Sequence, residues 1–469
     1  MKEDGLHPLS FGAMKTLLKG ARILTMNPRR EILEGADLLI EDDRIARIGP
    51  AGSLGAEKVN EAIECAGKVV LPGLVSAHSH LTGMFQRGLW DESSFESWSR
   101  KSTATEKFFN PSAEDIYVIH SAACMEFIRH GVTTVLNMFT APLNDPLECV
   151  NSACQAFLDT GIRGILALSL RDQSPDNAGI VPDMMALDSW MTFAREAARL
   201  VSRMGPRVLF MLAPSAPQRC SDRLLTSCRA LAEELKVGIH THLAETRRHA
   251  ETGRELYGEP IVNHLEKIGF LGPTLSGAHA IWLEDQEIDI LKRHDVKIVH
   301  NPSSNMKLGS GVARLRKMLD KGLAVGLGAD SVNAGTIYSV FEQMKLSVLL
   351  PRSLWGPADW VRPSEAFAMG TQGGARAVLL DGILGSIEEG KKADLAILNP
   401  SISLLPVNDL MDELALCENG GSVESVFVDG KPVMLGKRFT AIDEEAILER
   451  FCSLRPRIAK AEADVLQSP

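Results

Sequence analysis

Between residues 68 and 379, short and nearly continuous apolar runs alternate with stretches in which apolar positions recur every three or four residues. Eight of the runs have strand length: Val69–His80, Val132–Met138, Gly164–Leu170, Val208–Pro214, Val237–Leu243, Thr274–His279, Val296–His300 and Ala324–Asp330. Being apolar at successive positions, they suit strands covered on both faces. Helix-like stretches lie between them, among them Ala113–Arg129, Met185–Arg203, Asp222–Leu235, Gly253–Ile268, Asp285–Arg293 and Ala313–Lys321. Eight strand–helix alternations predict an α/β fold built as a parallel (β/α)8 barrel. A doubly wound open sheet is the alternative that the same alternation permits.

The two ends of the chain are patterned differently. Lys15–Pro50 reads as short β runs separated by turn residues such as Glu41-Asp42-Asp43, and Gly385–Asn399 and Val423–Leu435 are again short runs broken by glycine turns. These pieces predict a small antiparallel β domain made by both chain ends. The expected division is 1–70 for the N-terminal part of a β-sandwich, 71–380 for the barrel, and 381–469 for the rest of the sandwich plus a terminal helix. No repeat or low-complexity tract interrupts this order. Glu92–Asn110, polar and aromatic and just past the first strand, is a candidate lid over the barrel mouth.

Composition narrows the function classes. The chain has 469 residues, 45% hydrophobic and 23% charged, which is enough apolar material for a large core. Fifty Lys and Arg against 60 Asp and Glu leave a net charge of -10 without basic runs, which argues against nucleic acid or an anionic membrane as partner. The eight cysteines are scattered and form no CxxC pair, so free thiols in a reducing cytoplasm are expected and a disulfide framework is not. No apolar run reaches 18 residues, and Met1–Gly12 reads as a frayed terminus and not as a signal peptide.

In a barrel, chemistry gathers at the C-terminal ends of the strands. Here those ends read Ala77-His78-Ser79-His80, His240-Thr241-His242-Leu243-Ala244-Glu245, Gly277-Ala278-His279, His300-Asn301-Pro302 and Gly328-Ala329-Asp330. His78 and His80, two apart on a strand, point the same way and can grip one ion. His242 and Asp330 complete a His3Asp set that suits Zn, with Fe as the second choice. The fourth run has no lysine to bridge a second metal, so one ion is expected. A metal-bound water has its pKa lowered to about 7. Asp330 is placed to take its proton, His279 to orient it, and Glu245 to hold a proton beside a substrate nitrogen. A lone HxH more often belongs to structural histidines, and Glu245 alone is equally a solvated loop acid. His120, His130, His249, His264 and His294 fall in helix-like stretches and read as structural, and His240 as a barrel-interior residue. The weight rests on the joint placement of His78, His80, His242, His279 and Asp330 on one edge.

These residues resemble the amidohydrolase superfamily, in the aminohydrolase branch of S-adenosylhomocysteine/methylthioadenosine deaminases and triazine hydrolases. The motifs are LPGLVSAHSH at Leu71–His80, HTHLAET at His240–Thr246, GAHA at Gly277–Ala280, HNPSSNMKLGSG at His300–Gly311 and GLGAD at Gly326–Asp330, with GSIEEGKKADLAIL at Gly385–Leu398 near the end. The resemblance covers about Lys15 to Arg438. It implies one metal on His78, His80, His242 and Asp330, with Glu245 as proton shuttle and His279 beside the hydrolytic water. It also implies hydrolytic displacement at an sp2 ring carbon and an enzyme that is often a dimer or tetramer.

Some positions depart from the nucleoside deaminases. Ser215 stands where they carry a histidine, Arg171 follows the third strand where their arginine lies within it, and Asp330 leads into Ser331-Val332-Asn333-Ala334-Gly335. Glu106 matches loosely the acid that binds ribose hydroxyls. Trp98, Glu106, Ser215, His300 and Asn305 are the substrate-binding candidates, and Met84, Phe85, Trp90 and Trp98 either stack on a flat ring or pack. The leading function is deamination of an aromatic N-heterocycle such as a purine, pterin or triazine. Displacement of chloride or an alkylamine from a triazine, hydrolysis of a cyclic amide, and a metal-free scaffold are the rivals.

Overall fold

A computed structural model of the chain describes residues 14–91, 94–142, 144–173 and 186–467. Met1–Gly12, Met185 at the head of one expected helix, and Glu92 at the head of the candidate lid lie outside the described residues.

Eight strands form one sheet in chain order: Leu74–Ser79, Val132–Phe139, Arg163–Leu170, Val208–Pro214, Gly238–Leu243, Leu275–His279, Lys297–His300 and Val325–Leu327. Every neighbouring pair is parallel. A parallel bridge from Ser79 to Asp330 closes the ring. There the Asp330 N–H donates to His78 O at 3.1 Å and the His80 N–H to Asp330 O at 3.4 Å. This closure, with strands in chain order, excludes the doubly wound alternative. All eight residues of Val132–Phe139 are buried, as strands covered by helices on one side and barrel packing on the other require.

The helices start where the chain supplies caps. At Ala113–Arg129 the Ser112 and Asp115 pair satisfies two otherwise orphaned donors, Asp115 N–H to Ser112 Oγ at 3.1 Å and Ser112 N–H to Asp115 Oδ2 at 2.8 Å. Pro146–Thr160 and Val340–Leu354 fill the slots after the second and eighth strands.

Three expected elements differ, each for a local reason. The run Val69–His80 is two strands: Val69–Pro72 belongs to the accessory sheet, and Gly73 separates it from the barrel strand because a side chain there would collide with Thr133. The last barrel strand ends at Leu327 instead of Asp330, since Asp330 adopts φ +57° and leaves strand geometry. The helix expected over Gly253–Ile268 is broken into Arg247–Tyr257 and Ile261–Lys267, where Gly258 turns left-handed and Pro260 begins the next helix.

Both chain ends share a nine-stranded mixed sheet. Lys15–Leu24 pairs antiparallel with Ile32–Glu41 and parallel with Glu61–Glu64 and Val69–Pro72, while Leu395–Leu398 pairs antiparallel with Val69–Pro72 and with Val423–Val428. Leu18, Leu38, Ile40, Val70, Leu395 and Phe427 from both ends form one buried cluster. The barrel is stapled to this sheet by Arg163, only 2% exposed, whose Nη2 donates to Asp394 Oδ1 at 3.0 Å and Asp429 Oδ1 at 2.5 Å. Removing the guanidinium would leave Asp394 buried with only the Asp429 backbone N–H at 2.9 Å, and Asp429 with Lys392 at 3.3 Å and Arg207 at 3.6 Å. R163A is therefore expected to cost about 3–5 kcal/mol in urea unfolding, and a loss below about 1 kcal/mol would show that the staple is unimportant.

Candidate active site

The barrel mouth is organised by what holds the far nitrogen of each histidine. His80 Nδ1 lies 2.9 Å from Met138 O, His242 Nδ1 2.6 Å from Ser215 O, and His279 Nδ1 2.8 Å from Asn305 Oδ1. Each acceptor requires a proton on Nδ1, which leaves the Nε2 lone pair aimed into the mouth. His78 Nδ1 lies 2.8 Å from His240 Nε2, and His240 Nδ1 lies 2.7 Å from Ser276 Oγ, so His240 is the buried link that orients His78.

The inward atoms converge. His80 Nε2 and His242 Nε2 are 3.2 Å apart, and His78 Nε2 and His80 Nε2 lie 3.5 and 3.8 Å from Asp330 Oδ1. Two lone pairs at such a distance repel unless something positive sits between them. His78 Nε2 is fully buried and has no hydrogen-bond partner. Candidate ligand atoms of His78, His80 and Asp330 lie within 4.8 Å of one another. A second group, His78, His242 and His279, meets the same limit, and the nitrogen donors of both groups, with the carboxylate of the first, suit a divalent cation. Burial pushes His78 down to about 4 and lowers His80 and His242, so all three are neutral, as ligation demands. Burial opposes ionisation of Asp330, but its contact with His78 and the nearby rings of His279 and His80 hold it well below the usual carboxylate range.

The chemistry-bearing residues sit on strained backbone. Ala244, His279, Ala280 and Asp330 have φ of +44°, +72°, +50° and +57°, each in the left-handed region that non-glycine residues avoid at a cost of about 1–3 kcal/mol. Ladder bonds hold them, among them Ala280 N–H to Leu243 O at 2.8 Å and Trp282 N–H to Ala244 O at 3.0 Å. The result is that Glu245 turns back over the mouth, its Oε1 3.7 Å from His279 Nε2, which in turn is 3.8 Å from Asp330 Oδ2. Glu245 is 5% exposed, and burial raises its pKa above that of a solvated glutamate, so it holds a proton more readily than one in water.

A cavity of about 190 Å³ opens above this cluster, walled by His80, His242, Glu245, His279 and Asp330. Of the substrate-binding candidates, Trp98, Glu106 and Ser215 line it. His300 and Asn305 do not: Asn305 stands behind His279, and His300 is buried at the end of its strand, its carbonyl accepting from Gly328 N–H at 3.0 Å. Both are buried behind the cavity wall, Asn305 on the short helix Pro302–Lys307 that follows the seventh strand and His300 at that strand's end. Sequence reasoning passed over Arg219, which ends the short turn of helix Pro217–Arg219, as a wall residue, and named Arg171 after the third strand without setting it against Glu106. His240 was assigned the barrel interior, which is where it lies, but not its task of aiming His78.

The candidate lid is the helix Phe95–Phe109, tied down on both sides. Gln86 Nε2 donates to Ser102 O at 3.2 Å, Asn333 Nδ2 to Ser102 Oγ at 3.1 Å, and Arg457 Nη2, from the terminal helix Arg455–Gln467, to Phe109 O at 3.3 Å.

The chain is similar to known proteins along most of its length. The model of the Amidohydrolase family matches residues 69–433. The chain is 32% identical over 435 residues to a 5'-deoxyadenosine deaminase of Methanosarcina acetivorans, covering 92% of this chain and 96% of that one. It is 31% identical over 449 residues to a 5-methylthioadenosine/S-adenosylhomocysteine deaminase of Desulforamulus reducens, covering 95% and 99%. Its fold is similar to that of an adenosine deaminase from Xanthomonas campestris with bound zinc (TM-score 0.87, 22% identity, 95% of this chain and 99% of that one). It is equally similar to an atrazine chlorohydrolase from Arthrobacter aurescens complexed with zinc (TM-score 0.86, 24% identity, 94% and 99%). A family match over most of the chain, on a barrel whose mouth carries this histidine and aspartate cluster, shows that the chain belongs to the amidohydrolase family.

Proposed function

We propose that the protein is a zinc-dependent aminohydrolase that replaces the exocyclic amine of an adenine ring by oxygen, on a 5'-modified adenosine. The observation that carries the chemistry is Glu245: a buried carboxyl, its pKa raised by burial, lining the same cavity of about 190 Å³ as His80, His242, His279 and Asp330. The printed activities of the relatives support the substrate class. His78, His80, His242 and Asp330 are the residues assigned to the ion, and a bound zinc supplies a water whose pKa falls to about 7.

The chain's own groups account for the rest. Glu245 Oε1 gives its proton to a ring nitrogen, which leaves the neighbouring carbon short of electrons and open to attack. Asp330 Oδ2 accepts a proton from the attacking water and passes it to the amine, which departs as ammonia as the C–N bond breaks, while the remaining hydroxyl hydrogen returns to Glu245 as the ring C=O forms. His279, its Nδ1 fixed by Asn305, presents Nε2 between the two carboxyls and orients the attacking oxygen. The walls above keep bulk water from competing for these protons.

Glu106 is placed to read ribose. Burial pushes its pKa up to about 7, opposed by Arg171, and as a carboxylate it accepts two hydroxyl hydrogens. Above about pH 7 the carboxylate is present, and below it the acid is neutral and accepts less well. The KM for an adenosine-type substrate is thus expected to rise as pH falls through about 7, and to lose that dependence in E106Q. A flat KM profile in the parent enzyme would remove Glu106 from the ribose site.

The activity is tested by release of ammonia and of chloride across 5'-deoxyadenosine, guanine, a pterin and atrazine. Ammonia from 5'-deoxyadenosine is expected, and chloride from atrazine without any ammonia would favour the dechlorinating reading. E245Q should lower turnover by about 100- to 10,000-fold with metal content unchanged, and parent turnover in that variant would exclude Glu245 from the reaction. Exhaustive chelation should abolish ammonia release and one equivalent of zinc per chain should restore it. Full activity in metal-free protein, or a need for two equivalents, would contradict the ligand assignment.

A further inference from the structure

Glu245 has two oxygens, and the mechanism needs the proton on one of them. Its Oε1 faces His279 at 3.7 Å. On the other side a second imidazole approaches: His249 Nδ1 lies 3.9 Å from Glu245 Oε2. His249 sits one turn into the helix Arg247–Tyr257, its backbone N–H capped by Thr246 Oγ1 at 3.1 Å. Its ring is 7% exposed and is held edge-on against Phe95, with centroids 5.2 Å apart and planes at 86°. Phe95 and Glu245 both line the cavity. A histidine on a helix usually packs or faces water. This one is buried against a cavity wall with a ring nitrogen turned to the carboxyl that carries the reaction.

We propose that His249 is a positioning residue for Glu245: its Nδ1–H holds Oε2, so the acid's proton resides on Oε1, the oxygen that faces His279 and the cavity. Contacts of this kind lengthen without substrate and tighten when the ring is bound, so 3.9 Å is within reach of a small side-chain adjustment. Burial, with Arg219 and His279 adding to it, pushes the His249 pKa down to about 3, so the imidazole is neutral and keeps a single ring N–H to donate. The task differs from that of Asn305, which orients His279 from behind.

The inference rests on the deaminase reading of Glu245, and a double-mutant cycle separates the two. The probe is ammonia release from 5'-deoxyadenosine, with zinc content and thermal midpoint measured alongside. H249F keeps the ring packing against Phe95 and removes Nδ1. It should lower kcat by about 10- to 100-fold, the size of effect that supporting residues behind active groups have, with KM and zinc content unchanged. In the E245Q background the same substitution should cost nothing further, because His249 acts only through Glu245. H249N, which supplies an N–H from its amide, should recover most of the loss. Should H249F not fold, H249A and H249N carry the same cycle. Parent kcat in H249F, or an equal loss in both backgrounds, overturns the inference while leaving the role of Glu245 intact. Parent turnover in E245Q, or no ammonia from the parent enzyme, overturns the deaminase reading and this inference with it.

Discussion

The site depends on hydrogen bonds that point away from it. Met138 O, Ser215 O, Asn305 Oδ1 and the His240–Ser276 pair each take the far nitrogen of one histidine. An imidazole has one proton and two nitrogens, so an acceptor at one end decides what the other end can do. Three rings, His80, His242 and His279, are thereby committed to the same tautomer, His78 is held through His240, and their inward nitrogens meet in a volume a few ångströms across. Held without a cation, that arrangement is repulsive, which is why the same hydrogen bonds that aim the ligands also select a positive ion.

Asp330 joins this chemistry to the fold. Its backbone closes the barrel against Ser79, its left-handed φ ends the eighth strand early, and its carboxylate is delivered to the ligand cluster. The strain at Asp330, His279 and Ala244 is held by ladder bonds at strand ends, where the rest of the barrel overdetermines the geometry. A seam residue whose carboxylate also faces the histidines cannot shift without opening the ring, so the geometry of the cluster and the barrel closure are tied together.

The barrel was legible because parallel strands covered on both faces must be continuously apolar, and runs such as Val208–Pro214 have almost no other reading. The gathering of these side chains was legible because period-two geometry puts His78 and His80 on one side, and the topology brings the remaining strand ends to the same rim. What escaped was set by packing between elements. Nothing in the chain near Asn305 says that its amide stands behind His279, since they are 26 residues apart. The strand run Val69–His80 concealed a change of sheet because Gly73 interrupts it without altering its apolar pattern. His249 carried only its helical context until the fold put Phe95 and Glu245 against it.

The central claim is that inward-facing Nε2 atoms, fixed by outward-facing Nδ1 hydrogen bonds, hold one ion. It is tested most directly by anomalous diffraction at the zinc edge from crystals of the metal-loaded protein. The account predicts a single peak with Nε2 of His78, His80 and His242 and a carboxylate oxygen of Asp330 at about 2.0–2.2 Å. An ion ligated through Nδ1, or one bound away from Asp330, would contradict it.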